Sequence, residues 1–291
     1  MPFDSYPLDT VIWPSTNIPV CWEDASINPS LQSEVESVVA QTWEANSLVD
    51  FTGWGQCPSS YFGGIRIGVD DIQPHADHLG KELANESSGI VLNFTYNNWE
   101  TTKCQNNVTQ CTRHIAVHEF GHALGFAHEQ NRPDTPSSCT DAPQGTNGNA
   151  IFTDWDPDSV MNYCNLIWNG NAVLSDIDKM TLQAYYGNVP VYNSLTSKLT
   201  IPNIIIGAAS YSAILSSSGP TMFTLSSFGA SVPSSHPASY DSSNSNITIP
   251  FLKVTGAYNH IESLQSATLH DNGNSTYTVI STLQFQPTPT P

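Results

Sequence analysis

The stretch Arg113–Arg132, RHIAVHEFGHALGFAHEQNR, constrains this chain more than any other. It carries His118, Glu119, His122, Gly125 and His128 in the pattern H-E-x-x-H-x-x-G-x-x-H. His118 and His122 lie one helical turn apart, so their imidazoles project from one face of a helix toward one point. Glu119 sits beside that face, placed to take a proton from a water that a metal activates. Gly125 is the residue type that most readily adopts a left-handed backbone, so it can end the helix and return the chain. The return brings His128 in as a third nitrogen ligand, and three protein ligands leave zinc one open position, as in a catalytic site. His114 also falls on the stripe, at i−4 from His118. It would stand about 12 Å from His122 along a straight helix, too far to share a metal, and is read as facing solvent or packed behind the ligands.

The rest of the composition fits a chain that handles neither nucleic acid nor anionic membrane. Lys and Arg number 8 against 26 Asp and Glu in 291 residues, a formal charge of −18, which repels phosphate-rich partners. The six cysteines, Cys21, Cys57, Cys104, Cys111, Cys139 and Cys164, form no C-x-x-C pair. An even set at these spacings reads as disulfides made in an oxidising compartment. Fifteen pairings are open; Cys104–Cys111, Cys139–Cys164 and Cys21–Cys57 are preferred, because the first two close local loops flanking the proposed site. No apolar run reaches membrane-spanning length. MPFDSYPLDT has neither the basic start nor the apolar core of a signal peptide, so a secreted, mature or trimmed chain is expected.

In chain order, Ile18–Trp22 suits a strand, and Asn28-Pro29 caps a helix running to about Ala45 with Leu31, Val35, Val38 and Val39 on its buried face. Strands follow at 49–54, 65–69 and 89–96. The polar segment 73–88 places His75, Asp77 and His78 together, either a second metal site or an exposed loop, the loop being preferred. Residues 133–158 read as an acidic loop for which Ca²⁺ is a candidate ligand. Ser175 and Asp178 form a reciprocal cap for a helix that stops at Gly187. Character changes at Asn188–Pro190, which sets the expected domains at 1–188, 189–284 and a Pro/Thr tail at 285–291. The second region repeats itself with a period of about 48 residues: LTIP at 199–202 returns as ITIP at 247–250, Tyr192 as Tyr240, Ile206 as Val254, and Tyr211 as Tyr258. Short alternating strands in two such units point to a small all-β, sandwich-like domain.

These residues resemble a family. H-E-F-G-H-A-L-G-F-A-H-E, with Glu129 directly after the third histidine, and Ser159-Val160-Met161-Asn162-Tyr163 resemble the metzincin zinc endopeptidases, and the astacin branch most closely. The resemblance is specific from about Ile65 to Gly187 and does not cover the repeats. It implies an α+β domain with a twisted, mainly parallel mixed sheet, an active-site helix, a Met-turn and a C-terminal helix. It also implies zinc as cofactor, protein or peptide substrates, and an extended peptide lying along an edge strand, for which 89–96 is the expected one. Glu119 becomes the general base and Tyr163 a ligand or oxyanion donor, against an alternative in which Tyr163 is a core residue. Met161 becomes a structural floor beneath the metal. In mature astacins the chain's N-terminus reaches the glutamate after the third histidine. The start MPFDSYPL departs from that, so Glu129 is expected to meet Arg132 or a backbone donor instead. Two rival readings stay open: a matrixin-like peptidase without tyrosine participation, and a non-catalytic adhesin presenting the second domain. A monomer is expected, with glycan or cell-surface binding as one role for the second domain.

Overall fold

The computed structural model describes residues 6–151, 154–232, 234, 236–255 and 261–284. Tyr258 and the tail 285–291, which enter the expected repeat and domain scheme, lie outside them. The chain divides into two compact units, the first reaching Leu182 and the second starting at Gln183.

The first unit opens with β1 (Tyr6–Pro7), then β2 (Asn17–Trp22) and helix α1 (Pro29–Thr42). Asn28 accepts a hydrogen bond from the Leu31 amide at 3.3 Å, and Pro29 follows at a position where no amide proton is needed. Strands β3 (Asp50–Gln56), β4 (Ile65–Val69), β5 (His75–Ala76) and β6 (Ile90–Leu92) complete a sheet of order β3-β2-β4-β6-β5. Its first four strands run parallel, and β5 is antiparallel at the edge. The edge is therefore His75–Ala76 rather than the 89–96 strand, which shortens to Ile90–Leu92. The polar loop reading of 73–88 missed this pair because two residues are too few for an alternation to show.

Helices α2 (Thr101–Cys104) and α3 (Val108–Ala123) come next, followed by β7 (Phe126–Ala127), which pairs with β1. Large side chains clamp α3 from several directions. Trp43 and Trp13 donate indole protons to the carbonyls of Val117 and Ala123 at 2.9 and 2.7 Å, and Phe120 meets Phe51 edge-on at 4.9 Å. Such buried aromatic contacts fix a helix's rotation as well as its depth. All three preferred disulfides form. Helix α4 (Asp176–Tyr186) starts on the expected reciprocal cap, Asp178 N donating to Ser175 Oγ at 2.8 Å and Ser175 N to Asp178 Oδ2 at 3.1 Å. Among the described residues, no helix is long and apolar enough to cross a membrane.

The second unit is all β: β8 (Val191–Asn193), β9 (Lys198–Ile206), β10 (Ala209–Gly219), β11 (Met222–Ala230), β12 (Ala238–Asp241), β13 (Asn246–Thr255), β14 (Ile261–Asp271) and β15 (Thr276–Gln284). The strands form one sheet, β10-β11-β15-β14-β13-β12-β9-β8, and further pairings of β10 with β9 and β8 with β13 close it into a barrel. Closure, rather than two stacked sheets, reduces the open strand edges, although β11 and β15 pair over only three residues. The repeat is visible in the register. Val191 pairs with Lys253 and Tyr192 with Val254, while Ser239 pairs with Ile205 and Tyr240 with Ile206. Shifted by the sequence period, each pair becomes the other, so an approximate twofold relates the halves. Ile201, Leu215, Ile249 and Leu269 alternate inward along their strands into one apolar interior.

Candidate metal centre and catalytic cleft

Helix α3 delivers His118, Glu119 and His122 from its last two turns. The chain then leaves the helix through Gly125 at φ +96°, where a Cβ would sit strained and 3.0 Å from Ile12 Cδ1. That turn feeds β7 and carries His128 back to the other two histidines. Each imidazole is oriented by a backbone carbonyl at its Nδ1: Val160 at 2.7 Å for His118, Phe126 at 2.7 Å for His122, and Gln144 at 2.9 Å for His128. A carbonyl only accepts, so each Nδ1 carries the proton and each Nε2 is left with a lone pair. Those Nε2 atoms converge, His128 standing 3.2 Å from both His118 and His122.

Lone pairs at that distance repel unless a cation lies between them. Nitrogens about 2.0–2.1 Å from a tetrahedral zinc would stand about 3.3 Å apart, so the donor set fits that ion. Burial and the nearby His128 push His118 down to about 3, and burial lowers His122 and His128 as well. The three rings are thus neutral, the form that ligates a metal. Among the described residues no other cluster of three metal-capable side chains appears, in the acidic loop considered for Ca²⁺ or elsewhere. His75 pairs with Asp77 at 3.6 Å on the surface.

Glu119 lies fully within the wall of a cavity of about 330 Å³ that His118, Tyr163, Trp99, Trp168 and Lys103 also line. Its Oε2 is buried with no hydrogen-bond partner, and burial pushes the carboxyl up to about 8. Tyr163 lays its ring against His128 and His118, with centroids 4.5 and 5.5 Å away. Burial first, then the charges of Glu119 and Asp141, push its hydroxyl up to about 12, so it keeps its proton to donate. Met161 is fully buried. Its sulfur presses on Gly121, where a Cβ would overlap Met161 Sδ and crowd Trp43. The spacer glycine between Glu119 and His122 therefore makes room for the methionine, a role the ligand pattern alone did not reveal.

Several supporting residues also escaped the sequence pattern. Asn131 holds the segment that positions His128, donating to Gln144 O at 2.7 Å and accepting from Gln144 N at 2.9 Å. Gln130 Oε1 accepts from the Tyr163 amide at 3.1 Å, and the Glu129 amide donates to Met161 O at 3.0 Å. Asp178 does more than cap α4: it also accepts from Ser159 Oγ at 2.7 Å and Val160 N at 3.0 Å, pinning the turn that presents the Val160 carbonyl to His118. Their signal was absent because they act through backbone partners far along the chain. His114 does not face solvent. It is buried, accepts from Gln110 Nε2 at 2.7 Å and packs 5.7 Å from the Trp168 ring, because the 165–173 loop folds over it.

Glu129 and Arg132 are both fully buried, 3.4 Å apart, and the Asp156 amide donates to Glu129 Oε1 at 2.8 Å. Arg132 forks onto Asp134 through Nε and Nη2, each at 2.8 Å. An internal guanidinium thus meets the carboxylate after the third histidine, as the sequence expectation had it. Burial raises Glu129 well above the usual carboxylate range while Arg132 opposes the rise. Nearby, burial and the Asp178 carboxylate push Asp156 up to about 7. A carboxyl raised in the fold favours folding below its unfolded value, and that contribution is lost as pH climbs from roughly 4 through 7. Asp156→Asn is therefore expected to flatten the stability decline over that window and to exceed the parent above pH 7. Urea midpoints across pH 5–8 check this; parallel curves would remove the buried proton from the account.

Residues 101–144 match the family model for Astacin, a family of peptidases. Over that stretch the chain is similar to the astacins. The matched segment holds His118, Glu119, His122, Gly125, His128 and Glu129, and the astacin-like assignment supports a zinc metallopeptidase. Two solved structures resemble the chain at low identity. Myroilysin is 20% identical, with a TM-score of 0.44, the alignment covering 62% of this chain and 98% of that one. High choriolytic enzyme 1, a hatching-enzyme zinc-protease from Oryzias latipes (Medaka fish), is 17% identical, with a TM-score of 0.41 and coverages of 60% and 94%. No curated protein matches the chain.

Proposed function

We propose that the chain is a secreted zinc-dependent endopeptidase in which His118, His122 and His128 hold the metal and Glu119 is the general base. The observation that carries this reading is the Glu119 carboxyl, its buried Oε2 unpartnered, in the wall of the cleft that His118 lines beside the converging Nε2 atoms of the three histidines. A purely structural metal site has no use for a base there, which favours the peptidase over the adhesin reading. Zinc in this site supplies Lewis acidity, lowering the pKa of water and polarising a carbonyl. Glu119 takes a proton from water in the cleft and returns it to the leaving amine. The Tyr163 hydroxyl donates to the oxygen on which negative charge develops. The carbonyls of Val160, Phe126 and Gln144 fix the three rings, so ligand orientation is set before substrate arrives. Gln73 and Pro74, which lead into the edge strand β5, also line the cleft. An extended peptide adds to that edge by main-chain hydrogen bonds. The three disulfides support an oxidising compartment.

A casein digest tests the class. Activity should vanish with a zinc chelator and return with added zinc; digestion that survives complete metal removal would overturn the proposal. Tyr163→Phe separates this reading from a matrixin-like one. The variant should fold, and its kcat should fall about 100-fold, the usual cost of one oxyanion donor. An unchanged kcat would assign the chemistry to the metal and Glu119 without the tyrosine.

A further inference from the structure

The two halves of the second unit's barrel carry different aromatic rings at one equivalent place. Phe223 and Tyr277 occupy equivalent places and pair directly across β11 and β15. On the first repeat's side Tyr192 meets Phe223 edge-on at 5.7 Å. On the second repeat's side Tyr240 and Tyr277 instead line a cavity of about 390 Å³. Its floor is apolar and buried, built from Ile204, Ala213, Leu215 and Ile247. Phe228, Tyr240, Tyr277 and Asp271 also line it.

The polar atoms at this cavity have unfilled capacity. Asp271 Oδ1 accepts from the Gly273 amide at 2.9 Å and shapes the β14–β15 turn. Its Oδ2 and the hydroxyls of Tyr240 and Tyr277 take part in no hydrogen bond among the described residues. All three residues line the same cavity, and burial first, then the charge of Asp271, then Tyr240, raise Tyr277 above the usual phenol range. A carboxylate beside aromatic faces over an apolar floor attracts a cation through both charge and ring quadrupoles. An anion there would meet Asp271 and the −18 charge of the chain.

We propose that this cavity binds a small organic monocation with an apolar body, its ammonium at Asp271 among Tyr240, Tyr277 and Phe228 and its alkyl part on Ile204, Ala213, Leu215 and Ile247. The site is independent of the zinc-peptidase reading, since it uses no residue of the cleft. Calorimetric titration of the full chain with hexylammonium and hexyltrimethylammonium, against hexanol and hexanoate, tests it. The cations should bind at least about tenfold more tightly than the neutral and anionic analogues. Asp271→Asn keeps an acceptor for the Gly273 amide and should weaken cation binding on the order of tenfold without lowering the Tm. Leu225→Trp, which fills the cavity from its wall, should abolish binding. Nα-acetyl-lysinamide distinguishes two sources of the same chemistry: binding as tight as hexylammonium assigns the site to a polypeptide lysine, weaker binding to a free amine. Absence of cation binding, equal affinity for hexanol, or an Asp271→Asn variant that binds like the parent would each overturn the proposal.

Discussion

Glu119→Gln should leave zinc bound and reduce kcat by about 10²–10⁴-fold, the usual contribution of a positioned acid–base group. The substitution keeps the shape of a side chain buried in the cleft wall and removes only its capacity to accept a proton. The ligands are untouched, since His118 and His122 are set by the carbonyls of Val160 and Phe126 rather than by Glu119. Metal content by mass spectrometry and turnover of a quenched peptide separate the two effects. Loss of zinc with activity would make Glu119 a structural part of the centre, and near-normal turnover would remove it from the chemistry.

Arg132→Met is expected to cost about 3 kcal/mol of stability, because it leaves Glu129 buried beside Asp156 and Asp178 with no opposing charge. Adding Glu129→Gln should recover part of that loss, since the second change removes the orphaned carboxylate. Urea midpoints of both variants check the cycle. A single-variant loss below about 1 kcal/mol would mean that Glu129 holds its own proton and that Arg132 serves Asp134 alone. This pair also gives the site a counter-charge supplied from within the chain, one turn beyond His128.

The metal centre was legible in the sequence because its ligands are local. A helical turn spaces His118 and His122, and one glycine returns His128, so eleven consecutive positions carry the geometry. The disulfides were legible for the same reason, two of them closing short loops. What stayed hidden depends on distant backbone. Nothing near Asp178 says that its second oxygen holds the turn before Met161, and nothing near Asn131 says that it secures the carbonyl behind His128. Gly121 looked like a spacer until Met161 stood against it. The edge strand was misplaced because β5 is two residues long, while the Ile90–Leu92 strand is apolar enough to dominate the reading. In the second unit the period and the strands were readable, but closure was not. Whether two repeats stack or join depends on which edges meet, and strand patterns do not encode that.

The register of the barrel bears on how such a unit came to exist. Strand β8 of the first repeat lies parallel to β13 of the second, and β12 of the second lies parallel to β9 of the first. Each half lends its opening strand to the other, the way two exchanged protomers do. A lone repeat would present raw edges along its longest strands and could hide them only against another copy of itself. Joined in one chain, the two halves carry different side chains at equivalent positions, Phe223 and Tyr277 among them.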